Sequence, residues 1–229
     1  MKNGVFYGVG VGPGDPELIT LKAVRVLERC PVIAAPRTKG GGTLALDIAA
    51  RAVSMEGKTI LPLRFTMERE ASCRRAAHSR AVDEIARYLT EGRDVAMPNL
   101  GDVSVYASCR YLMELLRDRG FETVMVPGVP SFCAAAARLG VSLTDMDAPL
   151  HIIPASTLPL EDALALPGSK ILMKFGGHLP EVTAALRERD LLKKSAMVCD
   201  CGFPGEAVYP AMEQGPETAG YFSTIIVKE

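Results

Sequence analysis

Short apolar runs alternate with amphipathic stretches along the first half of the chain. Apolar runs between turn signals predict buried strands, and apolar positions that recur every three or four residues predict helices. The predicted strands are 5–11, 32–35, 59–63, 95–97 and 121–126, and the predicted helices are 16–28, 44–53, 76–89, 105–119 and 132–139. This alternation favours a parallel α/β domain.

The second half has a different pattern, in which strands follow one another closely. Strands are predicted at 150–153, 170–175, 196–199, 207–212 and 221–227, with a helix at 181–189. The short connections between the last three strands favour antiparallel pairing. We therefore expect an α/β fold of two domains, residues 1–126 with a mainly parallel sheet and residues 127–229 with a mixed sheet.

A glycine-rich loop follows the first strand. Glycine occupies every second position from Gly8 to Gly14, and Pro16 then marks a helix start. A dinucleotide fingerprint would need glycine where Pro13 or Asp15 stands, so a nicotinamide site is disfavoured. The acidic loop suits a neutral or cationic ligand better than a pyrophosphate. A plain strand-to-helix turn explains the spacing equally well.

A second glycine-acid loop, Leu100-Gly101-Asp102, follows the strand at 95–97. In a parallel sheet two such loops can lie side by side, where ligand crevices form.

The amino-acid composition and the net charge exclude some classes of function. The chain has 229 residues, 48% of them hydrophobic, and a net charge of −1. The apolar content indicates a folded globular protein, and the charge provides no basic field for nucleic acid. Without an apolar run of about 20 residues or a signal-peptide pattern, we expect no membrane association and a cytoplasmic location.

The cysteines and histidines are poor candidates for metal binding. The six cysteines lie mostly in apolar surroundings and lack paired spacing, so we interpret them as reduced packing residues. Cys199 and Cys201 form a CxC without a matching pair, and the three histidines are far apart in sequence. We expect no protein-bound metal. No motif for a nucleophile or a metalloprotease is present, which points to chemistry performed by a bound cosubstrate.

Three segments resemble signatures of the tetrapyrrole methyltransferase family. They are Gly10-Val-Gly-Pro-Gly-Asp-Pro-Glu-Leu18, Leu100-Gly-Asp-Val-Ser-Val-Tyr106 and Val126-Pro-Gly-Val-Pro-Ser131. Segments 61–67, 151–155, 173–174 and 222–223 further resemble the branch that methylates C20 of precorrin-2 or cobalt-factor II in cobalamin synthesis.

The resemblance implies a site for S-adenosylmethionine (SAM) in a cleft between two α/β domains, and a homodimer. Transferred by motif position, the SAM-binding residues would be Pro13, Leu100, Gly101, Asp102, Val105, Pro130, Ser131, Lys174, Gly205 and Ala207. Val103 replaces the usual proline of the second signature, and Pro130 stands where serine or threonine is common.

The implied substrate carries eight carboxylates, so we expect local basic patches. The candidates are Arg37, Lys39 and Arg64, together with Lys174, although a solvated surface role fits each of them as well. No catalytic residue follows from the sequence; Asp102 and Tyr106 are weak candidates to accept the proton lost from C20.

Other functions remain open at this point. A methyltransferase of the same fold could act on another corrin position, on uroporphyrinogen III, or on a protein or RNA. The departures at Val103 and Pro130 also allow a non-catalytic module that binds SAM or a tetrapyrrole.

Overall fold

The chain divides into two compact units, Met1–Pro130 and Ser131–Glu229. A computed structural model describes residues 2–37, 43–65, 71–154 and 158–228, with the backbone alone at 71–74. The predicted domain boundary after Val126 lies four residues before the division between the units. In the described residues, no helix combines the length and the apolar character that crossing a membrane requires.

The first unit is built on a five-stranded sheet in which all neighbours are parallel. Its strands are β1 (Phe6–Gly10), β2 (Val32–Arg37), β3 (Thr59–Arg64), β4 (Val95–Asn99) and β5 (Thr123–Val126), in the order β3-β2-β4-β1-β5. The helices of this unit are α1 (Leu21–Arg29), α2 (Leu44–Ala52), α3 (Ala71–Thr90) and α4 (Cys109–Asp118). The parallel fold class predicted for this half is confirmed.

The helices occupy both faces of this sheet. Side chains of α3 and α4, among them Ile85 and Leu112, form one apolar cluster with Phe6, Leu63 and Met97 of the strands. Helices α1 and α2 lie outside that cluster and contact each other and the strands β1, β2 and β4. The connections that leave β2 and β4 therefore lead to opposite faces, the arrangement at which parallel sheets form ligand crevices.

Strands β2 and β4 separate toward their C-terminal ends. Their pairing covers Val32 and Ile33 of β2 opposite Val95 and Ala96 of β4. Pro36 and Pro98 lie beyond this pairing, where a missing N–H removes no hydrogen bond between the two strands. Both strands consequently run longer than predicted, through a proline in each case.

Three predicted helix starts are wrong, and one of them is that of α3, which begins at Ala71 instead of residue 76. The helix predicted from Pro16 is a short 3-10 turn at Pro16–Leu18, and α1 begins only at Leu21, where the Thr20 hydroxyl accepts a hydrogen bond from the Ala23 amide. The helix predicted from Val105 begins at Cys109. Residues 100–108 instead form a loop, which contains much of the predicted site.

The second unit has a mixed sheet, as predicted. Its strands are β6 (Leu150–Pro154), β7 (Ser169–Met173), β8 (Ser195–Cys199), β9 (Ala207–Tyr209) and β10 (Ser223–Val227), in the order β6-β7-β10-β8-β9. Its helices are α5 (Ser131–Leu139), α6 (Leu160–Ala165) and α7 (Leu179–Glu188). β6 and β7 are parallel, whereas β10 is antiparallel to β7 and β8. Sequence patterning did not find α6.

The cysteines behave as packing residues within the described side chains. Five of them are free thiols, and all of these except Cys133 are buried. Burial raises the pKa of Cys30 and of Cys109 to about 12, so both thiols are protonated and unreactive at neutral pH.

Candidate functional site

Three backbone segments of the first unit converge at the C-terminal end of β1. A Cβ added to Gly128 would lie 2.3 Å from the carbonyl oxygen of Gly101, and one added to Gly10 would lie 2.6 Å from the amide nitrogen of Gly128. No side chain fits at such distances, so glycine is required at positions 10 and 128. The glycine-rich loop, the second loop and the segment after β5 thus meet backbone to backbone.

Backbone hydrogen bonds lock the first two loops together. Gly12 and Gly101 exchange a pair of hydrogen bonds, in which the amide nitrogen lies 3.3 Å from the acceptor oxygen when Gly12 donates and 2.8 Å when Gly101 donates. Both glycines have left-handed φ angles, +79° and +69°. The Val11 amide donates to the carbonyl of Asn99 at 3.0 Å. The bonds carry the β1–β4 pairing beyond the strand ends and into the loops.

Asp102 connects the second loop to the segment after β5. One carboxylate oxygen accepts hydrogen bonds from the amide of Ser104 at 2.7 Å and from the Ser104 hydroxyl, and the other accepts from the amide of Gly128 at 2.8 Å. Burial alone would raise the pKa of Asp102, but the bonds from the Ser104 hydroxyl, the Gly128 amide and the Ser104 amide together lower it. Asp102 is therefore a buried, ionised link between two loops.

Thr20 makes a further link to the same segment. Its hydroxyl caps α1 and also donates to the carbonyl of Pro127 at 3.3 Å, across 107 positions of the sequence. The start of α1 is thus tied to the segment that follows β5.

Tyr106 lies in a strained part of the second loop. Its φ angle is +50°, a left-handed conformation that costs a non-glycine residue about 1–2 kcal/mol. Its side chain is 47% exposed, and partial burial raises the pKa of the phenol. Backbone strain of this kind is often found at functional sites.

The other predicted site residues of the first unit surround these loops. Pro13 and Gly101 are buried, whereas Leu100, Val105 and Pro130 are partly exposed. Gly101 lies at the contact between the loops. The exposed apolar edges of Leu100, Val105 and Pro130 could receive an apolar part of a ligand.

Four predicted site residues belong to the second unit. Ser131 is the first residue of α5, and Lys174 directly follows β7 with a left-handed φ of +55°. Gly205, with a φ of +93°, and Ala207 lie at the end of the loop between β8 and β9. Lys174 lies directly after the C-terminal end of β7, and the loop lies directly after the C-terminal end of β8.

Two of the predicted basic residues are neighbours at the C-terminal edge of the parallel sheet. Arg37 ends β2 and Arg64 ends β3, and the two are direct partners in the strand register. Both are exposed, and neither forms an ion pair within the described part of the chain. Like charges directly opposite one another repel. Lys39 lies outside the described residues.

Among the described residues, no group of three or more His, Cys, Asp or Glu side chains could hold a metal ion.

Sequence reasoning missed the partners of Asp102. An Asp side chain commonly bonds the amide two residues onward, so the spacing of Asp102 and Ser104 was a usable signal. No local sequence signal indicated the hydrogen bond from the Gly128 amide, because Gly128 and Asp102 are 26 positions apart in the sequence.

Comparison with known proteins identifies the family. The sequence model of the Tetrapyrrole (Corrin/Porphyrin) Methylases matches residues 5–214. The cobalt-precorrin-2 C(20)-methyltransferase of Salmonella typhimurium is 30% identical over 232 residues, which cover 99% of this chain and 97% of that protein.

The cobalamin biosynthesis protein CobIJ of Mycobacterium tuberculosis is 33% identical over 230 residues, 96% of this chain. The chain spans 45% of the length of that relative.

A solved structure shares the fold. The uroporphyrin-III C-methyl transferase of Thermus thermophilus, complexed with S-adenyl homocysteine, superimposes with a TM-score of 0.72 at 20% identity, covering 99% of this chain and 98% of that one. The family model and the full-length relative together show that this chain belongs to the tetrapyrrole (corrin/porphyrin) methylase family.

Proposed function

We propose that this chain is a SAM-dependent C-methyltransferase that acts on C20 of precorrin-2 or of cobalt-factor II in cobalamin biosynthesis. The observation that carries the proposal is the similarity to the Salmonella C20-methyltransferase, which extends over nearly the whole of both chains. The converging loops of the first unit support it, because they form the type of strand-end surface on which α/β proteins bind ligands.

The described residues are compatible with SAM as the methyl donor, which the family uses. Leu100, Val105 and Pro130 offer partly exposed apolar surface, which suits an adenine ring. The nearby ionised Asp102 favours a ligand with positive charge. When bound, SAM supplies a methyl group to a nucleophilic carbon of the substrate.

The contribution of this chain is mainly positional. Holding the reacting atoms about 3–3.5 Å apart and aligned can supply a large part of a rate enhancement. Asp102 contributes by fixing the second loop against Gly128. Its lowered pKa and its occupied oxygens favour this positioning role over accepting a proton. Tyr106 has a raised pKa and is protonated at neutral pH, so it is also poorly suited to that step.

In the second unit, we propose that Ser131, Lys174, Gly205 and Ala207 bind SAM. The left-handed backbone at Lys174 supports a functional role there, since strain persists where surrounding contacts hold it.

On the substrate side, we propose that Arg37 and Arg64 bind carboxylates. Their adjacency in register and their exposure support this role, because a bound anion would relieve their mutual repulsion. Lys39 remains a candidate from the sequence.

We further propose that the protein is a cytoplasmic homodimer. In this proposal it holds no resident metal and binds neither nucleic acid nor membranes. The free thiols of the described cysteines support a reducing compartment. Light scattering of the purified protein tests the dimer: a mass of one chain would contradict it.

The decisive assay is methyl transfer. The protein is incubated with SAM carrying a ¹³C methyl group and with metal-free precorrin-2 or cobalt-factor II, and the product is mapped by NMR. A labelled methyl at C20 supports the proposal. A methyl at another ring position, or transfer to uroporphyrinogen III alone, rejects the substrate assignment, and SAM binding without any product favours a non-catalytic module.

A further inference from the structure

The loop between β8 and β9 has an unusual backbone. Asp200, Gly202 and Gly205 all adopt left-handed φ angles, of +48°, +79° and +93°. For Asp200 this conformation is unfavourable, since only glycine adopts it without a steric cost. Three such positions within six residues need contacts that hold them.

Asp200 is held by backbone bonds, from its own amide to the Phe222 carbonyl and from the Phe203 amide to its carbonyl, whereas Glu206 holds Gly202. Its Oε1 accepts hydrogen bonds from Arg138 of α5, through Nε at 2.7 Å and through Nη2, and its Oε2 accepts from the amide of Gly202 at 2.8 Å. The thiol of Cys201 also donates to this carboxylate. Four donors are about as many as a carboxylate accepts. The carboxylate therefore joins the start of the loop, the end of the loop and α5.

The charge of Glu206 persists at neutral pH. The hydrogen bond from Arg138 lowers the pKa of Glu206, and although burial acts in the opposite direction, the bond from Gly202 lowers it further. The Glu206 side chain is 16% exposed, but that of Arg138 is 59% exposed, so solvent partly screens this ion pair.

We propose that Glu206 and Arg138 are positioning residues that hold residues 200–207 in the conformation in which Gly205 and Ala207 contact the methyl donor. The inference rests on the proposed SAM-dependent function. Glu206 lies between those two residues in sequence, yet its own carboxylate is fully engaged by protein donors. It therefore acts through the loop backbone and not through direct contact with the ligand.

The test compares Glu206→Gln with wild type by two measurements. The amide of Gln keeps one acceptor oxygen but loses the charge and the second acceptor. Calorimetric titration with S-adenosylhomocysteine should show binding weakened by about tenfold, as expected for a lost charged hydrogen bond. Without ligand, the amide hydrogen of Gly202 should exchange faster in the variant than in wild type.

Arg138→Lys keeps the positive charge but not the forked donor geometry. Its loss of affinity for S-adenosylhomocysteine should be smaller than that of Glu206→Gln.

The matched control is Asp83→Asn, which breaks the 2.6 Å ion pair with Arg119 in the first unit. It should leave both readouts unchanged. Wild-type affinity in Glu206→Gln, or equal weakening in the control, would overturn the positioning role. A wild-type protein that does not bind S-adenosylhomocysteine would instead overturn the proposed function, and the inference with it.

Discussion

At the scale of single residues, Asp102 best connects sequence, structure and function. Its carboxylate satisfies two amides and a hydroxyl from two segments that are far apart in sequence. It is 8% exposed, so a lost bond would leave a donor with little water to replace it. Asp102 therefore joins two of the candidate loops, a role that the motif alone did not show.

Replacing Asp102 with Asn should destabilise the protein by about 1–3 kcal/mol, because the NH₂ group cannot accept a bond that the carboxylate accepted. Chemical denaturation of the two proteins measures this difference in the free energy of unfolding. Ser104→Ala, which removes only the hydroxyl donor, should cost less. An Asp102→Asn protein as stable as wild type would contradict the linking role.

The lowered pKa of Asp102 also predicts how stability changes with pH. A carboxyl whose pKa is lower in the folded than in the unfolded protein stabilises the fold above its unfolded pKa, and this contribution is lost as pH falls through the folded value. The stability advantage of wild type over Asp102→Asn should therefore be constant near neutral pH and shrink below about pH 4. Denaturation curves from pH 7 to pH 2 measure it. A constant difference throughout would argue against a lowered pKa.

At the scale of secondary-structure elements, the loops depend on close backbone packing as much as on hydrogen bonds. Gly10 and Gly128 lie so close to each other and to the Gly101 carbonyl that neither position has room for a Cβ. Gly10 ends β1 and Gly128 lies two residues after β5, and these two strands are paired in parallel register, so the sheet itself sets this distance.

Gly128→Ala should be strongly destabilising, because its Cβ would lie 2.3 Å from the Gly101 oxygen and both partners are backbone. We expect a loss of about 2 kcal/mol or more in the free energy of unfolding, or failure to fold. Gly220→Ala is the control, since a Cβ there meets no atom within 4 Å. Similar melting temperatures for the two variants would contradict the close packing.

Most elements could be predicted because their signals are local. Apolar runs predicted the strands, and the antiparallel pairing predicted for the last three strands is found for β8 with β9 and with β10, although β9 and β10 are not neighbours. The errors have long-range causes. The true start of α1 depends on Thr20, whose second partner is Pro127. The late start of α4 reflects the loop that Asp102 holds.

Local sequence patterns also did not predict where the strands end or how the site residues are arranged. A proline normally marks the end of a strand, but Pro36 and Pro98 are tolerated because β2 and β4 have already separated. The motifs identified which loops matter, whereas the contacts between them depend on the strand order β2-β4-β1-β5, which no periodicity encodes.

At the scale of the whole molecule, the sequence of this chain matches its family from residue 5 to residue 214, which includes parts of both units. The first unit offers joined loops after β1 and β4 and a basic pair at the ends of β2 and β3. All of these lie at the C-terminal edge of one parallel sheet, as expected for an α/β enzyme.

The basic pair predicts a selective effect on the tetrapyrrole. The double variant Arg37→Gln/Arg64→Gln should raise KM for the tetrapyrrole by about tenfold and leave the affinity for S-adenosylhomocysteine unchanged, since charge-assisted bonds to carboxylates are lost. Arg51→Gln, at the far end of α2, is the control. An unchanged KM would assign Arg37 and Arg64 to the solvated surface.

The most direct test of the central claim is a crystal structure of the protein with S-adenosylhomocysteine. We predict that the ligand contacts Leu100, Gly101 and Val105 of the second loop and Pro130 after β5, within a few ångströms of Pro13. A ligand bound at full occupancy elsewhere, remote from all of these residues, would contradict the account.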